Sequence, residues 1–138
     1  MPRPNHIEII LRAIIIDDDK ILVCKSNDHP PIYYLPGGHL EMGEGIKQAL
    51  KREIREELGA EINNLKFLEF FENSFTHNNV YHHEINFLYQ VDLKTKKPKS
   101  IKCQEGHISI IWLEISELPT FKLLPGCIKK YLVQYLLK

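Results

Sequence analysis

Apolar residues arrive along this chain in two rhythms. From His6 to Ile16 most positions are aliphatic and isoleucine dominates. A β-branched run of that length predicts a strand. Asp17-Asp18-Asp19-Lys20 then reads as a turn and Ile21 to Cys24 as a second strand, making a β-hairpin. The three aspartates lack the glycine and closing glutamate of a calcium loop, so they read as a solvated turn. Ser26 to Ile32, with two prolines, is a loop, and Tyr33 to Leu35 extends toward a turn at Gly37-Gly38. Here the period changes. Ile46, Leu50, Ile54 and Leu58 recur every four residues and predict a helix from about Glu44 to Leu58, with Gly59 as its stop.

Beyond that helix the chain returns to strand patterns. Leu65 to Phe75 is aromatic-rich, His77-Asn78-Asn79 is a turn, and Tyr81 to Leu93 sets Ile85, Phe87, Tyr89 and Val91 on one face. These form a long hairpin. Lys94 to Lys102 is a basic loop whose five lysines are read as solvated rather than as a phosphate or nucleic-acid contact. His107 to Leu113 is a further strand, and Ile115 to Leu118 a short helical turn. A closing helix, Leu124 to Leu137, opens near Pro125 and turns Ile128, Tyr131, Leu132, Tyr135 and Leu136 inward. The order predicts an α/β fold with a mixed sheet between helices.

The predicted central helix carries the chemistry. Glu53, Glu56 and Glu57 stand at i, i+3 and i+4, so three like charges share one side. They repel one another unless a cation offsets the cost, and carboxylate oxygens facing a glycine loop suit magnesium when phosphates share its coordination. On a helical wheel Glu53 and Glu57 flank the apolar stripe, so they should line a cleft. A solvated helix with i, i+4 pairs explains Lys47, Lys51 and Arg55, but not the register of both glycines with every carboxylate.

That register resembles the signature of the Nudix hydrolases. Gly38, Glu44, Arg52, Glu53, Ile54, Glu56, Glu57 and Gly59 all fall in place, with Ala60 at the final apolar position. Chance would give such a match at roughly 10⁻⁸ per starting point. The box covers 23 of 138 residues. The resemblance implies an α/β/α sandwich with a mixed sheet, and Mg²⁺-dependent hydrolysis of a phosphoanhydride bond in a nucleoside diphosphate linked to another group. Mn²⁺ is the expected substitute. It implies Glu56 and Glu57 as metal ligands, joined by the Gly37 carbonyl, with Glu53 as a third ligand or the general base. Arg52 orients Glu53, Glu44 enters the acidic cluster and Gly38 shapes the loop that meets substrate. Glu105 lies outside the box, before Trp112, Glu117 and Leu118, in a pattern many members share; there it would serve as ligand or base, an exposed loop glutamate being the even alternative.

Other residues change the picture less. His82 and His83 are adjacent and so point to opposite faces of a strand, which disfavours a zinc site with His77. One of them, or Glu84, can instead face the substrate cleft. Tyr33, Phe75 and Tyr81 are candidates for stacking on a base, with packing the plainer role. The markers of the ADP-ribose, NADH, coenzyme A and dinucleoside polyphosphate subgroups are absent, leaving a broad MutT-like class. An enzyme acting on RNA 5′ ends and a non-catalytic nucleotide-binding module are the alternatives.

The composition bounds the rest. A chain of 138 residues fits one domain, residues 1–138. Lysine plus arginine equals aspartate plus glutamate at 18 each, so no global field draws nucleic acid or an acidic membrane. No apolar run approaches a membrane span, and MPRPNHIEII lacks a signal peptide's apolar core. Cys24, Cys103 and Cys127 are odd in number and widely spaced, as expected of reduced thiols. The expected setting is the cytoplasm, the expected partner a small nucleotide. A homodimer is compatible with the resemblance.

Overall fold

The computed structural model describes residues 6–95, 98 and 101–137. Eight strands form one mixed sheet: β1 (Glu8–Asp17), β2 (Lys20–Ser26), β3 (Tyr33–Tyr34), β4 (Gly37–His39), β5 (Ile62–His77), β6 (Val80–Leu93), β7 (Ile108–Glu114) and β8 (Leu123–Leu124). Helix α1 (Ile46–Leu58) follows β4, and α2 (Gly126–Leu136) closes the described chain. A 3₁₀ segment, Ile115–Thr120, links β7 to β8.

Strand β1 is the axis of the sheet. It runs parallel to β6 from Glu8 to Ile15. On its other side it pairs antiparallel with β4 from Ile10 to Arg12, then with β2 at Ile16 and Asp17. The expected hairpin is therefore real but brief, closed by Asp18 and Asp19 at positive φ. Strand β2 spends its whole length on β7 instead, Lys20 to Ser26 against Glu114 to Ile108. Where β1 changes partner from β4 to β2 the sheet forks.

Isoleucines dominate β1 because both of its faces are covered. Leu11, Ala13 and Ile15 pack with Leu50, Ile54 and Leu58 of α1, and with Tyr89 and Val91 of β6. Ile14 faces the opposite layer with Ile21, Val23, Leu88, Ile128 and Leu132, the last two from α2. The sheet thus lies between two helices, as the element order predicts.

Several boundaries depart from the sequence expectation, among them the closing helix, which starts at Gly126 while Leu124 belongs to β8. Gly37-Gly38 is not a turn but part of β4, hydrogen-bonded beside β1. Helix α1 starts at Ile46 behind an N-cap at Gly45, whose N–H reaches Gln48 Oε1 at 3.4 Å. The hairpin of β5 and β6 is longer than predicted and turns at Asn78 and Asn79, both at positive φ. Of the basic loop, Lys96, Lys97 and Lys99 lie outside the described residues. No helix among the described residues is long and apolar enough to cross a membrane.

Ile54 is fully buried between α1 and the sheet. Ile54→Ala should lower unfolding free energy by about 2–5 kcal/mol, read from urea denaturation. A loss under ~1 kcal/mol would mean that α1 docks loosely on this layer.

Candidate active site

Backbone proximity builds the site. Gly37 lies at φ +146° beside Leu11, and a Cβ there would fall 1.8 Å from the Leu11 carbonyl oxygen. At Gly38 a Cβ would stand 2.2 Å from Glu53 Oε2. At Gly37 a side chain would strike backbone, so glycine is required there, whereas at Gly38 the Glu53 side chain would have to shift. The glutamates of α1 are thereby carried to the mouth of the fork in the sheet.

Arg52 gathers one half of the acidic group. Its Nε donates to Glu44 Oε2 at 2.6 Å and its Nη2 to Glu44 Oε1 at 3.0 Å, a two-pronged grip. Nη1 donates to Glu53 Oε1 at 2.9 Å and to Glu56 Oε1 at 2.8 Å, and Nη2 also reaches the His39 carbonyl at 3.1 Å. Glu44, held by this grip, sits below the usual carboxylate range. Arg52 is driven further above its ordinary value, by Glu44 first. Burial raises Glu53, against the pull of Arg52. Glu56 is half exposed and Glu41 largely so, the latter 3.9 Å from Arg52.

Glu57 is set apart. It is 4% exposed, deep behind the loop, and makes no contact with Arg52. Its Oε1 accepts the Gly37 N–H at 3.2 Å and the Cys24 S–H at 3.6 Å. Desolvation pushes its carboxyl up to about 7, a rise that Arg12 and the Gly37 N–H oppose and the charge of Glu105 reinforces. Burial also pushes the Cys24 thiol far up, so it stays protonated and donates.

Glu105 reaches this region through the backbone. The Gln104 N–H donates to the Glu57 carbonyl at 2.7 Å, tying the loop before β7 to the end of α1. Glu105 itself is one-third exposed, with His107 Nε2 3.6 Å from its Oε2. Its charge adds to the rise of the Glu57 carboxyl.

Two features escaped the sequence reading. Arg12 donates from Nη1 to the Leu35 carbonyl at 3.0 Å and lies 5.4 Å over the Tyr34 ring, near enough to Glu57 to lower its pKa. Its signal was a lone cation within a run of isoleucines. The second is Glu8, 4% exposed, which accepts from His39 Nε2 and His82 Nδ1, each at 2.7 Å. Burial pushes Glu8 up, but the two histidines outweigh it and hold the group below its ordinary value. His83 turns to the other face and meets Glu72 at 2.6 Å. The alternation argument against a shared zinc therefore describes these two side chains. Of the aromatic candidates, Tyr33 packs on Phe121, Tyr81 is exposed, and Phe75 stacks on His82.

As the side chains stand, no three His, Cys, Asp or Glu groups among the described residues converge closely enough to hold a metal ion. Arg52 keeps Glu53 and Glu56 on its own side, while Glu57 faces Gly37. The donor chemistry still fits a hard divalent cation. Every donor is oxygen, one carboxylate is buried without a direct ion pair among the described residues, and Glu53 lies against Gly38 of β4.

Comparison with known proteins agrees with this architecture. A model of the NUDIX domain matches residues 9–133. The chain belongs to the Nudix family. An RNA pyrophosphohydrolase of Campylobacter jejuni is 37% identical over 59 residues, 43% of this chain and 38% of that protein. The nucleoside triphosphatase NudI of Escherichia coli is 44% identical over 57 residues, 38% of this chain and 40% of its own length. The matched stretch thus spans about two fifths of these curated relatives. Among solved structures, a MutT Nudix hydrolase from Burkholderia pseudomallei superposes with a TM-score of 0.76 at 22% identity, covering 94% of this chain and 99% of that one, a likeness of fold.

The raised Glu57 carboxyl makes stability depend on pH. Its unfolded value is near 4.5 and its folded value about 7, so the folded state holds the extra proton between them. Stability of the metal-free protein should fall as pH rises through that window, by at most about 3.5 kcal/mol. Glu57→Gln should flatten this part of the profile. Thermal unfolding from pH 4.5 to 8 checks it, and equal slopes in both proteins would contradict the assignment.

Proposed function

We propose that this chain is a divalent-cation-dependent pyrophosphohydrolase. It cleaves a phosphoanhydride bond in a nucleoside diphosphate bearing another group, such as a nucleoside triphosphate or a nucleotide sugar. The observation that carries the reading is Glu57: a buried carboxylate, raised to about 7 by desolvation, whose only backbone partner is the Gly37 N–H at 3.2 Å among the described residues. Burying a charge without a direct ion pair is costly unless a cation arrives with function.

Each residue then has a task. Glu57 and Glu56 bind the cation, with the Gly37 carbonyl as a further ligand. Magnesium, or manganese in its place, supplies charge neutralisation at the phosphates and activation of water. Glu53 is the third ligand or takes the proton from water. Arg52 grips its Oε1 and leaves Oε2 free of that grip, while burial lifts its proton affinity toward that of a base. Arg52 positions Glu53 and Glu56 together, and Glu44 in turn fixes Arg52. Glu105, coupled to Glu57 by charge, is the competing base.

A second reading, hydrolysis at RNA 5′ ends, draws on the likeness to the Campylobacter protein. It requires RNA binding that weakens steeply with salt. The balanced charge of 18 against 18 favours the small nucleotide.

Phosphate and pyrophosphate release should be measured with magnesium, with manganese and with chelator. The panel should hold nucleoside triphosphates, nucleotide sugars, ADP-ribose and 5′-triphosphate RNA. Turnover is expected with metal and not with chelator. Glu57→Gln should reduce it by about a hundredfold or more while the circular dichroism spectrum is retained. Full turnover in a folded Glu57→Gln protein would remove Glu57 from the reaction.

A further inference from the structure

Two buried carboxylates lie side by side on the sheet face opposite α1. Glu8 of β1 and Glu84 of β6 are register partners on parallel strands. Their surroundings differ. Glu8 is satisfied within the protein by His39 and His82. Among the described residues the Glu84 side chain, in a residue 8% exposed, makes no ion pair and accepts one hydrogen bond, from Asn86 Nδ2 to Oε1 at 3.2 Å. Asn86, two residues along the same face of β6, is itself fully buried.

The remainder of that carboxylate faces a cavity of about 500 Å³ lined also by Arg12, Tyr34, Asn73, Phe75 and Leu124. The volume suits a small ligand. Its walls combine two aromatic side chains, Tyr34 and Phe75, with the polar side chains of Arg12, Asn73 and Glu84. Arg12 ties the cavity to the acidic helix, since the same guanidinium stands over Tyr34 and acts on Glu57. A ligand lying here therefore meets Arg12, the cation that also acts on Glu57, and Glu84.

We propose that Glu84 reads the base of a guanine nucleotide, its carboxylate accepting the N1–H and 2-amino group while Tyr34 and Phe75 flank the ring. A carboxylate only accepts hydrogen bonds. Guanine presents two neighbouring N–H donors on one edge. Adenine and cytosine place a ring-nitrogen acceptor beside their amino group, and uracil flanks its N–H with carbonyl oxygens. Each of those meets the carboxylate with a lone pair. A site built to hydrogen-bond a donor pair discriminates strongly against analogues that lack it. The inference rests on the hydrolase reading above, which it refines by naming the base.

The test separates the two. Isothermal titration with GMP, IMP and AMP uses ligands that have no anhydride bond to lose, so binding is read without turnover. The natural protein should bind GMP at least about tenfold more tightly than IMP, which lacks the 2-amino donor, and more tightly than AMP. Glu84→Gln should bring the GMP-to-IMP ratio close to one. That ratio is internal to each protein and does not depend on the fraction folded, and the turnover ratio of GTP to ITP should change in parallel. Equal affinities for the three monophosphates, with metal-dependent hydrolysis intact, would overturn the guanine assignment and leave the hydrolase reading standing. Tight binding of nucleotide sugars whatever their base would overturn it in favour of a sugar diol at Glu84. Neither binding nor hydrolysis of any nucleotide would overturn both.

Discussion

The close approach of β4 to its neighbours is the constraint on which this structure depends. At Gly37 and Gly38 there is no room for a Cβ, against the Leu11 carbonyl on one side and the Glu53 carboxylate on the other. That approach brings the Gly37 N–H to Glu57 and the backbone of Gly38 against Glu53. It also fixes the fork, because β1 is free to join β2 only beyond the three positions it shares with β4. Sterics set the frame, and the electrostatics operate within it.

Within that frame the charges are divided unevenly. Arg52, near the surface, satisfies Glu44, Glu53 and Glu56 through a planar fork whose geometry suits several carboxylates at once. Glu57 receives an amide, a thiol and the more distant influence of Arg12. The better-solvated carboxylates are thus the ones with a strong partner. The buried one is left with weak donors, and the proposed cation would supply the charge that these donors do not. A lysine at position 52 would keep the charge but lose the fork, and with it the common orientation of three side chains.

Much of this was legible in the sequence, for identifiable reasons. The four-residue apolar period of α1 and the isoleucine runs of β1 reported burial directly, because each element is amphipathic or buried on both faces. The box positions carried their chemistry in their spacing. What stayed hidden depends on pairing between distant segments. Gly37-Gly38 looks like a turn because glycine pairs are common in turns, and only the pairing with β1 makes it a strand. The grip of Arg52 on Glu44 spans eight residues across the helix start, and the Glu8 contact with His82 spans 74 positions, beyond any local pattern. Arg12 and Glu8 left a faint mark, as charges within an otherwise apolar strand.

The parallel pairing of β1 with β6 has a consequence for how the chain must assemble. Glu8 faces Glu84, so β1 is synthesised well before the strand that covers most of its length exists. Until then its isoleucines have two positions of β2 and three of β4 to lean on, and an uncovered β-branched strand is a ready template for joining another chain. Closing so long a loop is also slow, because the entropy is lost before the contacts form. The interval between β1 and β6 on the ribosome is therefore where this molecule is most exposed to misassembly. Overproduction that outruns the completion of that pair would send the protein into aggregates, however stable the finished fold.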